Sequence, residues 1–283
     1  MLFKVHHQEF VNYCVFCPSL TILHEAIFID YMTENKDITS GDTRHLPLLV
    51  IDSGNSKTKI ALFVQGLMTL NEIFDTSDEK SILAFVHHHQ AKGSIQTFGV
   101  STSGLSDLPL SALDVRWFGV HNAMPLHMDY TSPESLGSDR WALTNARYLE
   151  TQKNFLLITM GTCITYNVVR NDCFMGGAIS PGWSMRYKAM NAYTNGLPEA
   201  TYNDSTSILG LDTHGSLQAG VDIAIRGELV AMAEQYKSAY DLQEVFICGG
   251  DAPRLSKHLK KYIFAPSNYE LYALKRLHEY NQK

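Results

Sequence analysis

The sequence predicts an α/β protein of two similar domains, each a mixed sheet flanked by helices, facing one another across a cleft. Apolar runs short enough for strands alternate with longer stretches of helical periodicity. One local order, buried strand, glycine turn and hairpin, occurs twice about a domain's length apart. A chain of 283 residues, 45% hydrophobic and 18% charged, is also long enough for two modest cores.

The elements follow in order. Leu46 to Asp52 is a nearly uninterrupted apolar run, the mark of a strand buried on both faces, and it ends in Asp52-Ser53-Gly54-Asn55. Thr58 to Phe63 reads as a second strand, Gln65-Gly66 as a turn and Leu67 to Phe74 as the returning arm of a hairpin. Ser77 to Ala91 predicts a helix, and Ser94 to Ser101 and Val115 to Val120 predict strands. A helix capped by Ser138 runs to Thr151 with Trp141, Leu143, Ala146 and Leu149 on its apolar face, and joins the two halves.

The opening order then returns: Phe155 to Met160, the turn Gly161-Thr162, Thr165 to Val169, the turn Asn171-Asp172, and Cys173 to Ile179. Aligning Gly54 with Gly161 sets Asn55 against Thr162 and Thr58 against Thr165. Ser216 to Tyr240 reads as one long helix, Glu244 to Cys248 as a strand, and Gly249-Gly250 as a tight turn before Ala252 to Lys261. Pro266 precedes a final helix whose stripe of Tyr269, Leu271, Leu274, Leu277 and Tyr280 belongs to the core. The expected division is an extension, 1–46, an N-terminal domain, 47–150, and a C-terminal domain, 151–283, that includes the final helix.

A net charge of -6 with no cluster of Lys and Arg argues against nucleic-acid binding. Five cysteines at uneven spacings suit reduced thiols in a cytoplasm. Phe10 to Met32 is interrupted by His24, Glu25 and Asp30, so it predicts neither a membrane span nor a signal peptide. Translation is expected to begin at Met32, with the residues before it untranslated or disordered. Cys14 and Cys17 have metal-ligand spacing but lack a convincing second pair. His87-His88-His89 cannot converge on one ion from a helix, where successive side chains point about 100° apart. Cys163, Cys173 and Cys248 read as small core residues.

The chemistry is expected at the glycine turns. Glycine at a strand's end lets main-chain N–H groups approach a phosphate, so Gly54 and Gly161 are candidate main-chain donors. Asp52 could hold Mg²⁺, Asn55 and Ser56 could donate to phosphoryl oxygens, Lys59 could add positive charge, and Thr162 offers a hydroxyl. Gly249-Gly250 could let an adenosine pack against the backbone. Neither the P-loop lysine signature nor a dinucleotide fingerprint is present. In Leu136-Gly137-Ser138-Asp139-Arg140, Asp139 could orient an alcohol and accept its proton, with Arg140 beside it as an anion clamp.

Taken in order, Asp52-Ser53-Gly54-Asn55-Ser56 with Lys59, Tyr130 with Pro133, Leu136 to Arg140, Gly161-Thr162 with Thr165, and Gly176 to Gly182 resemble the signature of type III pantothenate kinases. Thr194 with Leu197-Pro198, Ser207 with Gly210, Gly215, Gly220 and Gly249-Gly250 extend the resemblance over about residues 47–280. It implies a homodimeric, actin-like (ribonuclease H-like) enzyme with ATP in the interdomain cleft. That enzyme would phosphorylate pantothenate, the first step towards coenzyme A, using Mg²⁺ and a monovalent cation, K⁺ or NH₄⁺. By matching position, Asp139 would be the catalytic base, and Tyr130, Gly137, Ser138, Asp139, Arg140 and Thr194 would shape the pantothenate pocket. Asp52, Ser53, Gly54, Asn55, Ser56, Lys57, Thr58, Lys59 and Thr162 would hold ATP, with Asp52 also at Mg²⁺.

The sequence departs from this pattern at two places. Thr159 stands where the family has an aspartate for the monovalent cation, and Asn167 stands where close relatives often have an acid. A neutral hydroxyl puts the cation dependence in question. The resemblance also carries a rival reading: a non-catalytic, nucleotide-binding regulatory member, similar to a transcription accessory factor. Intact Asp139-Arg140 favours the enzyme, and Thr159 favours the rival.

Overall fold

The computed structural model describes residues 46–102, 114–204 and 207–282. The expectations for the extension up to residue 45, including Cys14, Cys17 and Met32, lie outside them. Strands β1 (Leu48–Ser53), β2 (Lys57–Val64), β3 (Leu67–Asp75), β4 (Gln96–Ser101) and β5 (Arg116–Trp117) form a sheet in the order β3-β2-β1-β4-β5. Helix α1 (Glu79–Gln90) is inserted before β4. Strands β6 (His127–Met128), β7 (Phe155–Met160), β8 (Cys163–Arg170), β9 (Cys173–Pro181), β10 (Glu244–Cys248) and β11 (Ile263–Phe264) form a second sheet in the order β11-β10-β7-β8-β9-β6. Helices α2 (Ser138–Thr151), α3 (Trp183–Ala192), α4 (Thr213–Tyr240) and α5 (Tyr269–Tyr280), with 3₁₀ turns at Pro133–Ser135 and Ala252–Leu255, complete the described elements.

The repeat read from the sequence is a repeat of topology. In each sheet an antiparallel meander, β1-β2-β3 or β7-β8-β9, is flanked on its first strand by a parallel strand, β4 or β10, and then by a short parallel edge, β5 or β11. Pairing also corrects the alignment of the copies. Asp52 pairs with Lys59, and Thr159 pairs with Thr165. The structural partner of Thr165 is therefore Lys59, not Thr58, because the first turn holds one residue more.

Alternation explains the apolar runs. Leu48 and Val50 point to one face of β1, where Leu271, Leu274 and Leu277 of α5 and Trp141 of α2 complete a cluster. Leu49 and Ile51 point to the other, against Ile82 and Val86 of α1. On β7, Phe155 and Leu157 join the cluster of α2 and α5, while Leu156 and Ile158 meet Leu217, Val221, Ile225 and Leu229 of α4. Helices α2 and α5 therefore lie in the core shared by both sheets. The final helix, expected with the second domain, packs on β1, β2 and β4 of the first sheet and on α2.

Several other elements differ from expectation. Val115 to Val120 contributes a strand of only two residues. The cap of α2 is Gly137, and Ser138 is the first helical residue, its hydroxyl donated to Ser101 O at 2.7 Å. The long helix α4 begins at Thr213, capped by Asp212, whose carboxylate accepts from Gly215 N. Helix α3 was not foreseen.

Candidate active site

Both glycine turns open at the same end of the two sheets, and a hydrogen bond of 2.8 Å between the Ser56 and Thr162 hydroxyls joins them across 106 residues of sequence. Each turn is closed by its own backbone: Gly54 N donates to Lys57 O and Gly161 N to Cys163 O, both at 3.0 Å. These two N–H groups, expected as phosphate donors, are thus committed within their hairpins. A side chain built on Gly161 would meet nothing within 4 Å. The fold itself leaves room for one there, so packing does not require glycine at this turn.

The residues of the first turn divide by role. Ser53 and Thr58 are buried and share a hydrogen bond of 3.1 Å, and Thr58 reaches Thr76, whose hydroxyl donates to Gly54 O at 2.8 Å. They hold the turn rather than face the cleft. Lys57 lies on the exposed hairpin, paired with Asp75 at 2.6 Å. Asn55 and Ser56 are exposed at the tip, where a phosphate can reach them.

Asp52 and Lys59 form the charged floor. The Lys59 ammonium lies 3.1 Å from Glu270 Oε2 on α5, a partner not foreseen from the sequence. Burial raises the Asp52 carboxyl to about 7, with Lys59 opposing the shift and Glu270 and Asp139 adding to it. Burial works against the charge on Lys59, but Glu270 and Asp52 outweigh it and hold its pKa above the usual value. On the facing strand, Thr159 Oγ1 lies 3.6 Å from Cys248 Sγ, and burial pushes that thiol well up. Gly249, with φ +102°, turns the chain so closely under β7 that a Cβ would fall 2.2 Å from Met160 O.

Asp139 sits in the first turn of α2, which the Ser138 bond anchors to the end of β4. Burial raises its carboxyl, opposed by the N–H and charge of Arg140 and by its own N–H. Its charge adds to the upward shifts of Asp52 and Cys163. Arg140 is buried; its Nε donates to Asn167 Oδ1 at 2.7 Å and Nη2 to Tyr166 O at 3.4 Å, both neutral acceptors. Phe174, 6.0 Å from that guanidinium, stacks obliquely on Tyr130, and the Tyr130 ring lies where a Cβ on Gly176 would be 3.3 Å away. Tyr130, Phe174 and Arg140 thus pack together, with Asp139 adjoining Arg140 in the chain. Thr194 is exposed just after α3 and donates to Met190 O at 2.7 Å; no contact among the described residues ties it to this group.

Among the described residues no group of three or more His, Cys, Asp or Glu is set to hold a metal ion. A Mg²⁺ bound through one carboxylate, water and substrate phosphates needs no such cage, and the single carboxyl of Asp52 fits that mode. A cavity of about 510 Å³ lies elsewhere, between α3 and α4, lined by Met190, Leu197, Leu217 and Val221 with Arg186 at its edge. Its lining carries no acid, and its hydroxyls are those of Thr213 and Ser216.

Two facing sheets of like topology define the fold class as actin-like. Solved structures of this shape include one described as a Baf family transcriptional activator from Campylobacter jejuni, at TM-score 0.58 and 18% identity over 83% of this chain and 98% of that one. Another is a putative 2-dehydro-3-deoxygalactonokinase from Sinorhizobium meliloti, at TM-score 0.53 and 11% identity over 82% and 96%. The model of the type III pantothenate kinase family matches residues 48–235. Proteins named type III pantothenate kinase from Flavobacterium johnsoniae and Bacteroides fragilis are each 32% identical over 238 residues, 82% of this chain and 98% of theirs. The chain belongs to the type III pantothenate kinase family.

Proposed function

We propose that this protein transfers the γ-phosphoryl group of ATP to the hydroxyl of pantothenate, giving 4'-phosphopantothenate and ADP, the first step of coenzyme A synthesis. The observation that carries the reading is the Ser56–Thr162 hydrogen bond, which brings the two glycine turns together beside the buried acid Asp52. The substrate oxygen attacks phosphorus as the bond to the β-phosphate oxygen breaks, and Asp139 accepts the hydroxyl proton. Burial raises the Asp139 pKa, which favours its taking that proton. Asp52 would hold Mg²⁺, which supplies charge neutralisation between the phosphates. Asn55, Ser56 and Thr162 would donate to phosphoryl oxygens, and Lys59 would offset their charge. Arg140, hydrogen-bonded to neutral Asn167 and Tyr166 O, would clamp the carboxylate of pantothenate, with Tyr130 packed nearby on Phe174.

The neutral Thr159–Thr165 pair supports weak dependence on a monovalent cation. Exposed Tyr193, Ile208, Leu209 and Leu211, each at least 68% accessible, lie between α3 and α4 in the chain and support a homodimer. Among the described residues no helix is long and apolar enough to cross a membrane. We place the enzyme in the cytoplasm, without membrane or nucleic-acid partners.

The test is ATP-dependent phosphorylation of pantothenate by the purified chain with Mg²⁺ in K⁺, NH₄⁺ or Na⁺ buffer. Asp139→Asn should lose turnover about a thousandfold while keeping its circular dichroism. Wild-type protein that is folded and binds ATP yet turns over under none of these cations would instead support the regulatory reading.

A further inference from the structure

Glu270 is the second residue of α5, on the face that otherwise buries Tyr269, Leu271, Ala273, Leu274 and Leu277, and it is only 7% exposed. An acid at a helix N-terminus is favoured by the dipole, but that attraction acts equally well in solvent. It does not explain a carboxylate placed within an apolar face, where an unpaired charge is costly. The partner is Lys59, brought from β2 across 211 residues of sequence to 3.1 Å.

What the pair achieves follows from the register of β1 and β2. Asp52 and Lys59 are direct cross-strand neighbours, close enough for a lysine to neutralise the acid opposite it. An ammonium resting on Asp52 would compete with a cation for that carboxylate. Glu270 gives Lys59 another seat, fixes it in the floor of the cleft and leaves Asp52 available. Glu270 then offsets the Lys59 charge, and the Asp52 carboxyl, which burial raises to about 7, is left for a Mg²⁺ whose charge would favour its ionised form.

We infer that Glu270 is a positioning residue of the phosphate site: it holds Lys59 off Asp52 so that the acid can bind Mg·ATP. The inference rests on the reading of Asp52 and Lys59 as the Mg·ATP floor. It assigns to the C-terminal helix a part in the site that its apolar stripe does not announce.

The test is calorimetric titration of ATP at several Mg²⁺ concentrations into the wild type, Glu270→Gln, Glu270→Asp, Lys59→Met and the Glu270→Gln/Lys59→Met double variant, with the melting temperature of each. Glu270→Gln should raise the Mg²⁺ concentration needed for half-maximal ATP binding about tenfold, and Glu270→Asp should restore most of the loss. In the Lys59→Met background Glu270→Gln should add nothing, because a residue acting only through Lys59 shows full coupling to it. A purely structural role would lower the melting temperature without moving the Mg²⁺ dependence. Wild-type Mg²⁺ dependence in Glu270→Gln, or an equal loss with and without Lys59, overturns the inference while the site reading stands. Wild-type protein that binds no Mg·ATP overturns both. Should Glu270→Gln fail to fold, Glu270→Asp against Lys59→Met/Glu270→Asp forms the same cycle.

Discussion

The two hairpin units follow one path and carry different chemistry. In the first, Asp52 faces Lys59; in the second, Thr159 faces Thr165. The first turn is braced by hydroxyls, Thr76 on Gly54 O and Ser53 on Thr58. The second is braced by backbone, with Gly182 N donating to Thr162 O at 3.0 Å. The shared frame comes from strand pairing and close backbone approach, which fix where residues stand. What those residues are then varies freely, one unit supplying charge and the other neutral donors.

The sharpest way to break this comparison is at the glycines of the second unit. A Cβ on Gly182 would lie 2.1 Å from Gly161 O and 2.9 Å from Thr162 O, so Gly182→Ala should lose about 3 kcal/mol of stability by denaturant titration. Gly161→Ala should keep its stability within about 0.5 kcal/mol, since its methyl meets no protein atom, yet bind ATP at least about tenfold more weakly. Unchanged ATP binding in folded Gly161→Ala would mean that no phosphate approaches this turn.

A smaller effect tests the charge asymmetry. Thr159→Asp restores an acid at the counterpart of Asp52, and its rate in K⁺ should exceed that in Na⁺ by about threefold or more, whereas the wild type should scarcely distinguish them. Equal rates would remove position 159 as the source of the difference.

The smallest effect concerns α5, which packs on β1, β2 and β4 of the first unit and on α2. Burial, with Arg116 and Lys275 assisting and Glu279 opposing, lowers the His278 pKa from 6.5 to about 4. The native state therefore keeps the ring neutral while the unfolded chain takes up a proton. Stability from this group is full above pH 6.5 and is lost as pH falls through that value towards about 4. In His278→Gln the urea midpoint should decline less across this window than in the wild type. An identical decline would assign acid sensitivity to other groups.

Much of the frame was legible because its signals are local and strong. The uninterrupted run of β1, the turn Gln65-Gly66 and the apolar stripe of α5 each constrain their own neighbourhood. Helix α3 escaped notice because it follows Pro181-Gly182 and buries only Trp183 and Tyr187, too few for a readable period. The edges β6 and β11 are two residues each, set by the strands they join. At the site, the type of residue was legible, but its direction was not. Lys57 and Lys59 stand two apart on one strand, and one pairs with Asp75 on the exposed hairpin while the other meets Glu270 in the cleft floor. Glu270 looks like any acid in the first turn of a helix. Only the return of α5 to the first sheet gives it a role.

That return also sets a timetable for synthesis. The ribosome releases β1 and β2 roughly two hundred residues before α5, and domains fold as their residues emerge. Until the final helix leaves the exit tunnel, Leu48, Val50 and Phe63 lack the cover that Leu271, Leu274 and Leu277 provide, and Lys59 has no Glu270. The nascent chain can pair its first strands, but it cannot finish the phosphate floor, so a message cut short before the last helix yields a protein without that floor.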